Sequence, residues 1–362
     1  MTQVLLVGGY GSVGRIVARE LASEKTKLEE LLIAARDGSK ATSLADRLGE
    51  NVSGVSFDVE TPAAYSEVLE DVDQVVVCLD QTGTEFVEAC LERGIDYVDV
   101  TASDEFFRQV EALGPVAREN GATVVLSVGL APGVTNLLAA RAVDELSTIS
   151  NVRIGVLLGL GESFGPEASR WTLERIGRPF TVRANGDSQT ARGFTDPRPV
   201  EFPRYGRRTA YRFDFADQHV VRRTLDVPTA ATRFCFDSRL ATAAVHGLVR
   251  AGVYQPMAKA VGVDRLAGLS EGLSLGSDGF AVTVTAEGRR NGTRIATTEA
   301  VDGREQSRVS GLVAAIVARA VTAGNVSHGV SHVHQALEPT AVLDGIRSYG
   351  YRTTSSERVL ER

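Results

Sequence analysis

The chain has 362 residues, 43% of them hydrophobic and 23% charged, which is enough for two domains with separate cores. A formal net charge of −7 argues against general binding to nucleic acid. Its three cysteines form no C-x-x-C pair, and no metal-ligand spacing is present, so we expect a reduced protein without a metal site. The sequence contains neither a signal peptide nor an apolar run of about 18 residues, which predicts a cytoplasmic protein that stays outside the membrane.

A glycine-rich turn follows the first predicted strand. The short apolar run at 4–7 is typical of a parallel strand buried on both faces, and apolar residues at helical spacing continue to residue 21. Between them, Gly9, Gly11 and Gly14 spell G-x-G-x-x-G, and Gly8 begins an overlapping pattern. A glycine turn between a strand and a helix is the context that dinucleotide binding requires, although such a turn can also exist without a ligand.

Each glycine of the turn has an expected role. Gly9 allows the tight turn, Gly11 lets the backbone approach a pyrophosphate, and Gly14 lets the helix pack close to the strand. The free N–H groups and the positive end of the helix then receive the phosphates. The residues predicted to contact a dinucleotide here are Gly8, Gly9, Tyr10, Gly11, Ser12, Val13 and Gly14.

The end of the second predicted strand bears on the choice between NAD and NADP. An NAD site needs an acidic side chain there to hold the ribose 2′-OH, whereas in this chain Arg36 follows the strand at 31–35. With Ser39 and Lys40 close by, Arg36 offers a charge-assisted contact to a 2′-phosphate, worth about 10- to 100-fold in affinity. We therefore expect NADP, with NAD the less favoured cofactor. Two alternatives are that Asp37 holds the ribose while Arg36 stacks on the adenine, and that the stretch is a solvated turn.

Four further apolar runs predict strands that alternate with helices and complete a doubly wound parallel sheet of six strands. These runs lie at 52–57, 72–79, 94–101 and 123–128. The carboxyl ends of such strands line the ligand crevice. Cofactor contacts are therefore expected from Asp58, Val59, Cys78, Leu79, Asp80 and Thr101. For Asp58, a helix cap before Pro62 is an equal alternative to a contact with the adenine amine.

From residue 151 onward the pattern favours an α+β domain. Short antiparallel strands are predicted over 178–228, and Asn291 with Gly292 predicts the turn of a hairpin between two alternating runs. A long helix is predicted at 304–322, and His328, His332 and His334 follow it. No cysteine or second histidine group accompanies these histidines, so we expect surface or helix-cap positions for them rather than a metal site.

The chain resembles the saccharopine dehydrogenase-like family, which includes the glutamate-forming saccharopine reductases and bacterial relatives. The resemblance rests on VGGYGSVGR near the N-terminus, GIDYVDVTAS at 94–103, GLAPGVTNLLA at 129–139 and GVSHVHQALEPTAVLDGI at 329–346. It implies a Rossmann domain, a middle substrate domain and a C-terminal segment that returns to the first domain. It also implies NAD(P)-linked chemistry on an amino-acid-like imine or amine. The chain departs from the family at 78–81, where many members resemble an N-A-G-P turn and this chain has Cys-Leu-Asp-Gln.

The predicted fold class is α/β, with an N-terminal Rossmann sheet and an inserted α+β domain for substrate binding and dimerisation. The expected boundaries are 1–130 for the NAD(P)-binding domain, 131–303 for the substrate domain and 304–362 for a C-terminal segment whose helix returns to the Rossmann domain. An exposed sheet face in the middle domain is expected to mediate a homodimer, as relatives suggest.

Reduction of an imine needs a proton route and is helped by a carboxylate that stabilises the protonated imine. Asp80 and Asp99 are the catalytic candidates, with Thr101 as a hydroxyl relay; the alternative for Asp99 is a cap of the next turn or helix. Arginine is the natural bidentate ligand of substrate carboxylates, and the alternative for any single arginine is a solvated sheet edge. The candidates in the middle domain include Arg204, Arg207, Arg208 and Arg212.

The sequence thus predicts an NADPH-dependent oxidoreductase of the saccharopine dehydrogenase type, acting on a small substrate that carries carboxylates. A nearer alternative is an oxidoreductase for another small carbonyl or enoyl compound. A third is a non-catalytic dinucleotide-binding sensor or scaffold, in which Asp80 and Asp99 have no role in chemistry. No Tyr-x-x-x-Lys pair is present, which argues against the short-chain dehydrogenase mechanism.

Overall fold

The computed structural model describes residues 2–23, 28–161, 166–184, 186–263, 265–266 and 276–361. They divide into two units, one formed by Met1–Gly133 with Ser307–Gly345 and the other by Val134–Gln306 with Ile346–Arg362. None of the described helices combines the length and the hydropathy that crossing a membrane requires.

The strands, in chain order, are β1 (Gln3–Val7), β2 (Glu30–Ala35), β3 (Val52–Ser56), β4 (Gln74–Val77), β5 (Asp96–Asp99), β6 (Thr123–Leu126), β7 (Thr148–Leu158), β8 (Pro179–Ala184), β9 (Asp187–Arg192), β10 (Thr195–Phe202), β11 (Gly206–Arg212), β12 (Ala230–Phe236), β13 (Gly279–Arg290), β14 (Thr293–Arg304), β15 (Gly329–His332) and β16 (Arg352–Glu361).

The helices are α1 (Gly14–Leu21), α2 (Gly38–Ala45), α3 (Tyr65–Val68), α4 (Glu85–Leu91), α5 (Asp104–Ala112), α6 (Gly114–Glu119), α7 (Val134–Asp144), α8 (Pro166–Arg175), α9 (Ala216–Thr224), α10 (Arg239–Arg250), α11 (Tyr254–Val261), α12 (Gln306–Thr322), α13 (Val333–Ala336) and α14 (Pro339–Arg347). A short 3-10 helix covers Pro62–Ala64.

The first unit is built on a parallel sheet of seven strands in the order β15-β6-β5-β4-β1-β2-β3. Every neighbouring pair is parallel, and β4 and β6 are buried along their whole length, as strands covered on both faces must be. The order reverses between β1 and β4, so this sheet confirms the predicted doubly wound fold and has its switch point at the glycine turn. The sequence predicts six strands; β15 is the seventh.

The long helix α12 packs within the first unit against α1 and the start of β4. A Cβ on Gly311 would lie 2.5 Å from the Cβ of Ile16, so glycine lets the two helices approach closely. The Gln74 side chain donates to the carbonyl oxygen of Ala318 over 3.1 Å, and Arg319 pairs with Glu20 at 2.9 Å. These contacts join residues more than 240 positions apart into one core.

His332, at the end of β15, is buried rather than exposed. Its Nδ1 lies 2.8 Å from the hydroxyl of Ser127, and its Nε2 lies 2.8 Å from the Glu111 carboxylate. It also forms the N-cap of α13 in a capping box with Gln335, which confirms the predicted cap role. The predicted surface position is wrong for His332 and His334, both of which are buried, because β15 pairs with β6 and carries them into the unit.

The second unit contains a mixed sheet in the order β10-β11-β12-β7-β13-β14-β16, in which β12 and β7 run parallel and the other neighbours run antiparallel. The predicted hairpin is β13–β14, and Asn291 and Gly292 have φ values of 51° and 80°, as a type I′ turn demands. Pro197 and Pro199 lie on the edge strand β10 and have no backbone N–H to donate to another strand.

Two elements of the second unit differ from the sequence prediction. The stretch 178–228 contains α9 in addition to the predicted short strands. The sequence also predicts one C-terminal segment at 304–362 whose helix returns to the Rossmann domain. The structure divides this segment, since residues from Ile346 onward belong to the second unit, where β16 pairs with β14.

Candidate dinucleotide-binding site

The turn after β1 owes its shape to Gly8. Gly8 has a φ of +75°, its N–H donates to the carbonyl oxygen of Ala34 over 3.1 Å, and a Cβ on it would lie 3.0 Å from the carbonyl oxygen of Cys78. The sequence predicts the tight turn at Gly9, whereas the left-handed residue is Gly8. Gly9 instead lies against β2, where a Cβ would come within 2.7 Å of the Ile33 side chain.

The start of α1 leaves an open concave turn. A Cβ on Gly14 would overlap the carbonyl oxygen of Gly8, while a Cβ on Gly11 would meet only that same oxygen, at 3.3 Å. The helix has neither a capping side chain at Val13 nor an acidic residue in its first turn. The N–H groups of Arg15 and Ile16 donate to the carbonyl oxygens of Gly11 and Val13. The positive end of the helix therefore lies at a cradle that a side chain at Gly11 would partly fill, and this geometry fits a diphosphate, with Ser12 partly exposed beside it.

At the end of β2, Asp37 serves as the N-cap of α2. Its carboxylate accepts from the N–H of Ser39 at 3.1 Å and from the Ser39 hydroxyl at 2.6 Å, and the Lys40 ammonium lies 3.7 Å away. The hydrogen bond from Ser39 holds the pKa of Asp37 below its usual value. Arg36 is exposed beside it, and no carboxylate in the described part of the chain lies within ion-pair distance of its guanidinium. Asp37 is thus engaged within its own turn, whereas Arg36 is available for an anion.

The residues after β3 have partners within the chain. The Asp58 carboxylate accepts from the N–H of Glu60 at 3.1 Å and so closes a local turn. The predicted alternative, a helix cap before Pro62, is wrong for Asp58, because Thr61 is the N-cap of the short helix at Pro62. The carbonyl oxygen of Val59 accepts from the Tyr65 hydroxyl at 2.5 Å. Contact of Asp58 or Val59 with a cofactor stays a prediction.

The ends of β1, β4 and β5 meet as the sequence predicts for neighbouring parallel strands. The N–H of Cys78 donates to Val7 over 2.9 Å, and the Thr101 hydroxyl donates to the carbonyl oxygen of Leu79 over 3.3 Å. Asp80 is exposed at this edge of the sheet. Because Gly8 lies against Cys78, the glycine turn and the polar residues after β4 belong to one site.

Asp99 is fully buried at the end of β5 and accepts three hydrogen bonds. The N–H of Thr101 donates to Oδ1 over 2.6 Å, and the Tyr97 hydroxyl and the Gln81 amide donate to Oδ2 over 3.0 and 3.1 Å. Burial raises the pKa of Asp99 to about 6, although the hydrogen bonds from Thr101 and Tyr97 act in the opposite direction. The hydrogen bond from Thr101 is the turn cap that the sequence offers as the alternative role of Asp99. The hydrogen bonds from Tyr97 and Gln81 connect the carboxylate to those two side chains.

Gln81 and Tyr97 contact Asp99, and neither is among the site residues predicted from the sequence. The Gln81 amide donates to the Tyr97 hydroxyl over 2.5 Å as well as to Asp99, while its own Oε1 is buried without a hydrogen-bond partner among the described residues. Tyr97 stands two residues before Asp99, the spacing that places two side chains on one face of a strand, and this is the signal from which it can be found. We refer to Gln81, Tyr97 and Asp99 as the β4–β5 cluster.

The arginine candidates of the second unit do not converge on one point. Arg212 is buried, and burial together with the neighbouring Arg233 lowers its pKa to about 10. Arg204 lies 3.8 Å from the Asp302 carboxylate. Only two of the four candidates line the same cavity, of about 590 Å³, whose walls are Pro197, Arg198, Pro199, Arg207, Arg208, Thr209 and Arg239.

Comparison with known proteins identifies the first unit. Residues 4–125 match the family model described as the saccharopine dehydrogenase NADP binding domain. The chain is 26% identical over 229 residues to carboxyaminopropylagmatine dehydrogenase of Synechocystis, covering 58% of this chain and 56% of that protein. It is 29% identical over 147 residues to the NADP-dependent, L-glutamate-forming saccharopine dehydrogenase of Saccharomyces cerevisiae, covering 40% and 31%. The chain thus spans about half, or less, of the length of these curated relatives.

The fold has a counterpart among solved structures. Saccharopine dehydrogenase (L-Glu forming) from Saccharomyces cerevisiae superposes with a TM-score of 0.70 over 99% of this chain and 100% of that chain, at 17% sequence identity. At that identity the likeness describes the fold alone. Residues 4–125 are therefore similar to the NADP-binding domain of saccharopine dehydrogenases, and the chain shares the fold of one solved saccharopine dehydrogenase.

Proposed function

We propose that the protein is an NADPH-dependent reductase of an imine formed between an amine and a small carbonyl compound. The observation that carries the proposal is the β4–β5 cluster, a buried carboxylate with a directed amide, next to the glycine turn of an NADP-binding domain. A turn that bound the cofactor without chemistry would not need a buried carboxylate, which is costly to enclose, beside the carboxyl ends of the strands. The same site in reverse would oxidise the amine.

Each residue of the site has a distinct role in the proposal. NADPH supplies the hydride. The glycine turn with α1 holds the diphosphate, Arg36 and Lys40 hold the 2′-phosphate, and the backbone from Cys78 to Leu79 runs beside the nicotinamide ribose. Asp80, exposed at the edge of the sheet, stabilises the positive charge of the protonated imine.

Asp99 acts through Gln81 in this proposal. Since Asp99 is fully buried, it positions other groups instead of contacting the substrate. Asp99 and Tyr97 each accept a hydrogen bond from the Gln81 amide. These bonds hold in place the residue next to Asp80, the side chain proposed to stabilise the protonated imine.

The substrate is proposed to be an amine that carries carboxylates. Two matched relatives are named for carboxylated amines, carboxyaminopropylagmatine and carboxynorspermidine. The arginine-lined cavity of the second unit supports the same chemistry, since Arg207, Arg208 and Arg239 bring several guanidinium groups together.

The test is an assay of NADPH oxidation at the nicotinamide absorbance with pairs of carbonyl and amine compounds. The carbonyl panel contains 2-oxo acids and semialdehydes, and the amine panel contains amino acids, agmatine and polyamines. The reaction consumes one NADPH and one proton for each imine reduced to a secondary amine, which mass spectrometry identifies. Tight NADPH binding without oxidation by any pair would contradict the proposal and favour a dinucleotide-binding sensor.

We further propose that the protein acts as a cytoplasmic homodimer. The support is the exposed strand β16, whose residues from 352 to 359 are nearly all exposed and include the apolar Val359. An exposed apolar residue on an edge strand is typical of a surface that a second chain covers. Sedimentation of the purified protein should give twice the chain mass, and Val359→Glu should favour the monomer; a wild-type monomer at micromolar concentration would contradict this proposal.

A further inference from the structure

The ring of Tyr10, in the glycine turn, lies close to two cations. The guanidinium carbon of Arg15 lies 4.0 Å from the ring centroid, and the Lys40 ammonium lies 5.5 Å from it. Arg15 belongs to α1 and Lys40 to α2, so one side chain of the turn brings together the starts of two helices. We refer to Tyr10, Arg15 and Lys40 as the tyrosine clamp.

Both cations occupy positions that a helix disfavours. Arg15 is the second residue of α1 and Lys40 the third of α2, where the positive end of the helix repels a cation. The first turn of α1 contains no acidic residue, whereas the Asp37 carboxylate at the N-cap of α2 offsets part of the repulsion at Lys40. Contact with the Tyr10 ring compensates part of it, because the face of an aromatic ring attracts cations.

The guanidinium of Arg15 lacks hydrogen-bond and ion-pair partners among the described residues. Its Nε is buried and has no hydrogen-bond partner among the described residues, and no carboxylate in that part of the chain pairs with its guanidinium. Lys40 shares the Asp37 carboxylate at 3.7 Å. Arg15 and Arg36 thus have no carboxylate partner among the described residues, and an anion from outside the chain would pair with them.

We propose that the tyrosine clamp binds the 2′-phosphate of NADP together with Arg36, and that Arg15 is a specificity-determining residue for NADP over NAD. Lys40 and Arg36 lie at the end of β2, where the adenosine ribose lies in this fold, and Tyr10 links Arg15 to that side. The ring of Tyr10 holds the guanidinium in a fixed plane, which is the arrangement that bidentate phosphate binding needs. In this proposal the backbone N–H groups of the glycine turn bind the pyrophosphate.

Because the inference concerns cofactor binding alone, it holds whether or not the protein reduces an imine. The experiment measures dissociation constants for NADPH and NADH by nicotinamide fluorescence, and for adenosine 2′,5′-bisphosphate and 5′-AMP by calorimetry. Arg15→Gln should weaken NADPH and the bisphosphate about 10-fold, the loss of one charge-assisted contact, and leave NADH and 5′-AMP within about twofold. Equal weakening of NADPH and NADH would assign Arg15 to the pyrophosphate and overturn the proposal, as would no change for either.

Matched variants separate this role from a structural one. Arg19→Gln removes an exposed arginine from the last turn of the same helix and should leave all four affinities unchanged. Tyr10→Phe keeps the ring and should keep the NADPH preference, whereas Tyr10→Leu should lower it, since the guanidinium loses its support. Thermal unfolding without cofactor checks the fold of Arg15→Gln. Should that variant unfold, Arg15→Lys retains the charge without the bidentate fork and should lose part of the preference; an unchanged preference in Arg15→Lys would overturn the proposal.

Discussion

The hydroxyl of Tyr97 donates a hydrogen bond to Oδ2 of Asp99 over 3.0 Å, and both side chains are fully buried on the same face of β5. Asp99 shifts the titration of its partner, since burial and the nearby carboxylate raise the pKa of Tyr97 well above its usual value. Tyr97 is therefore a permanent donor to Asp99, and the Gln81 amide completes the pair. The orientation of Gln81 at the carboxyl edge depends on this contact.

Tyr97→Phe tests that dependence. The variant removes the hydroxyl and leaves a buried carboxylate with fewer donors, which should lower the free energy of unfolding by about 1–3 kcal/mol. Urea unfolding measures this loss, and NADPH affinity should stay unchanged because Tyr97 lies outside the predicted cofactor contacts. An unchanged free energy of unfolding would contradict the hydrogen bond between Tyr97 and Asp99. A large loss of NADPH affinity would contradict the position of Tyr97 outside the cofactor contacts.

Substitution of Asp37 should affect stability, whereas substitution of Arg36 should affect NADPH affinity. Asp37→Ala removes the N-cap of α2 and should cost about 1 kcal/mol of stability without weakening NADPH binding. Arg36→Ala should leave stability unchanged and weaken NADPH about 10- to 100-fold relative to NADH. Denaturant unfolding and fluorescence titration of both variants give the comparison. The opposite pattern, with Asp37→Ala impairing NADH and NADPH alike, would restore Asp37 as a ribose ligand.

Gly14→Ala should destroy the cofactor site. Its Cβ would overlap the carbonyl oxygen of Gly8 and force the turn and α1 apart, so we expect loss of NADPH binding and a lower melting temperature. Gly247→Ala is the matched control, because Gly247 lies within α10 with no atom within 4 Å of the added Cβ. That substitution should raise stability by up to about 1 kcal/mol through helix propensity. Equal effects of the two substitutions would contradict the close packing at Gly14.

The parallel sheet could be predicted because its buried strands are continuous apolar runs in the sequence. Runs such as the three valines at 75–77 are apolar at every position, and the glycine turn and the Asn291 hairpin have local signatures. The positive φ at Gly8 was harder to assign, since Gly8 and Gly9 are adjacent glycines and only the position of Cys78 and Ile33 distinguishes them.

The elements that the sequence does not reveal depend on distant partners. β16 is polar at nearly every position, and it becomes a strand because β14 offers an edge to pair with. His332 is buried because β6 and α5 supply Ser127 and Glu111, both about 200 residues earlier in the chain. The β4–β5 cluster likewise unites two strand ends, and only Tyr97 with Asp99 has a local spacing that indicates it.

Asp99 should give the protein a distinctive dependence on pH. Its pKa is about 6 in the folded chain, above the value near 4 expected in the unfolded chain, so the folded state binds this proton more tightly. As the pH rises from about 4 to 6, the unfolded chain ionises first, and stability falls by about 2–3 kcal/mol before it levels off.

Asp99→Asn removes this titration. The amide changes the absolute stability, because it presents donors to Gln81, but the difference in unfolding free energy between the variant and the wild type should rise in favour of the variant from pH 4 to 6 and stay constant above. Asp46→Asn, at an exposed carboxylate after α2, is the control and should follow the wild-type curve. Urea unfolding at half-unit pH steps makes the measurement. Parallel curves for Asp99→Asn and the wild type would mean that Asp99 ionises normally and that its enclosure by Tyr97, Gln81 and Thr101 does not hold a proton.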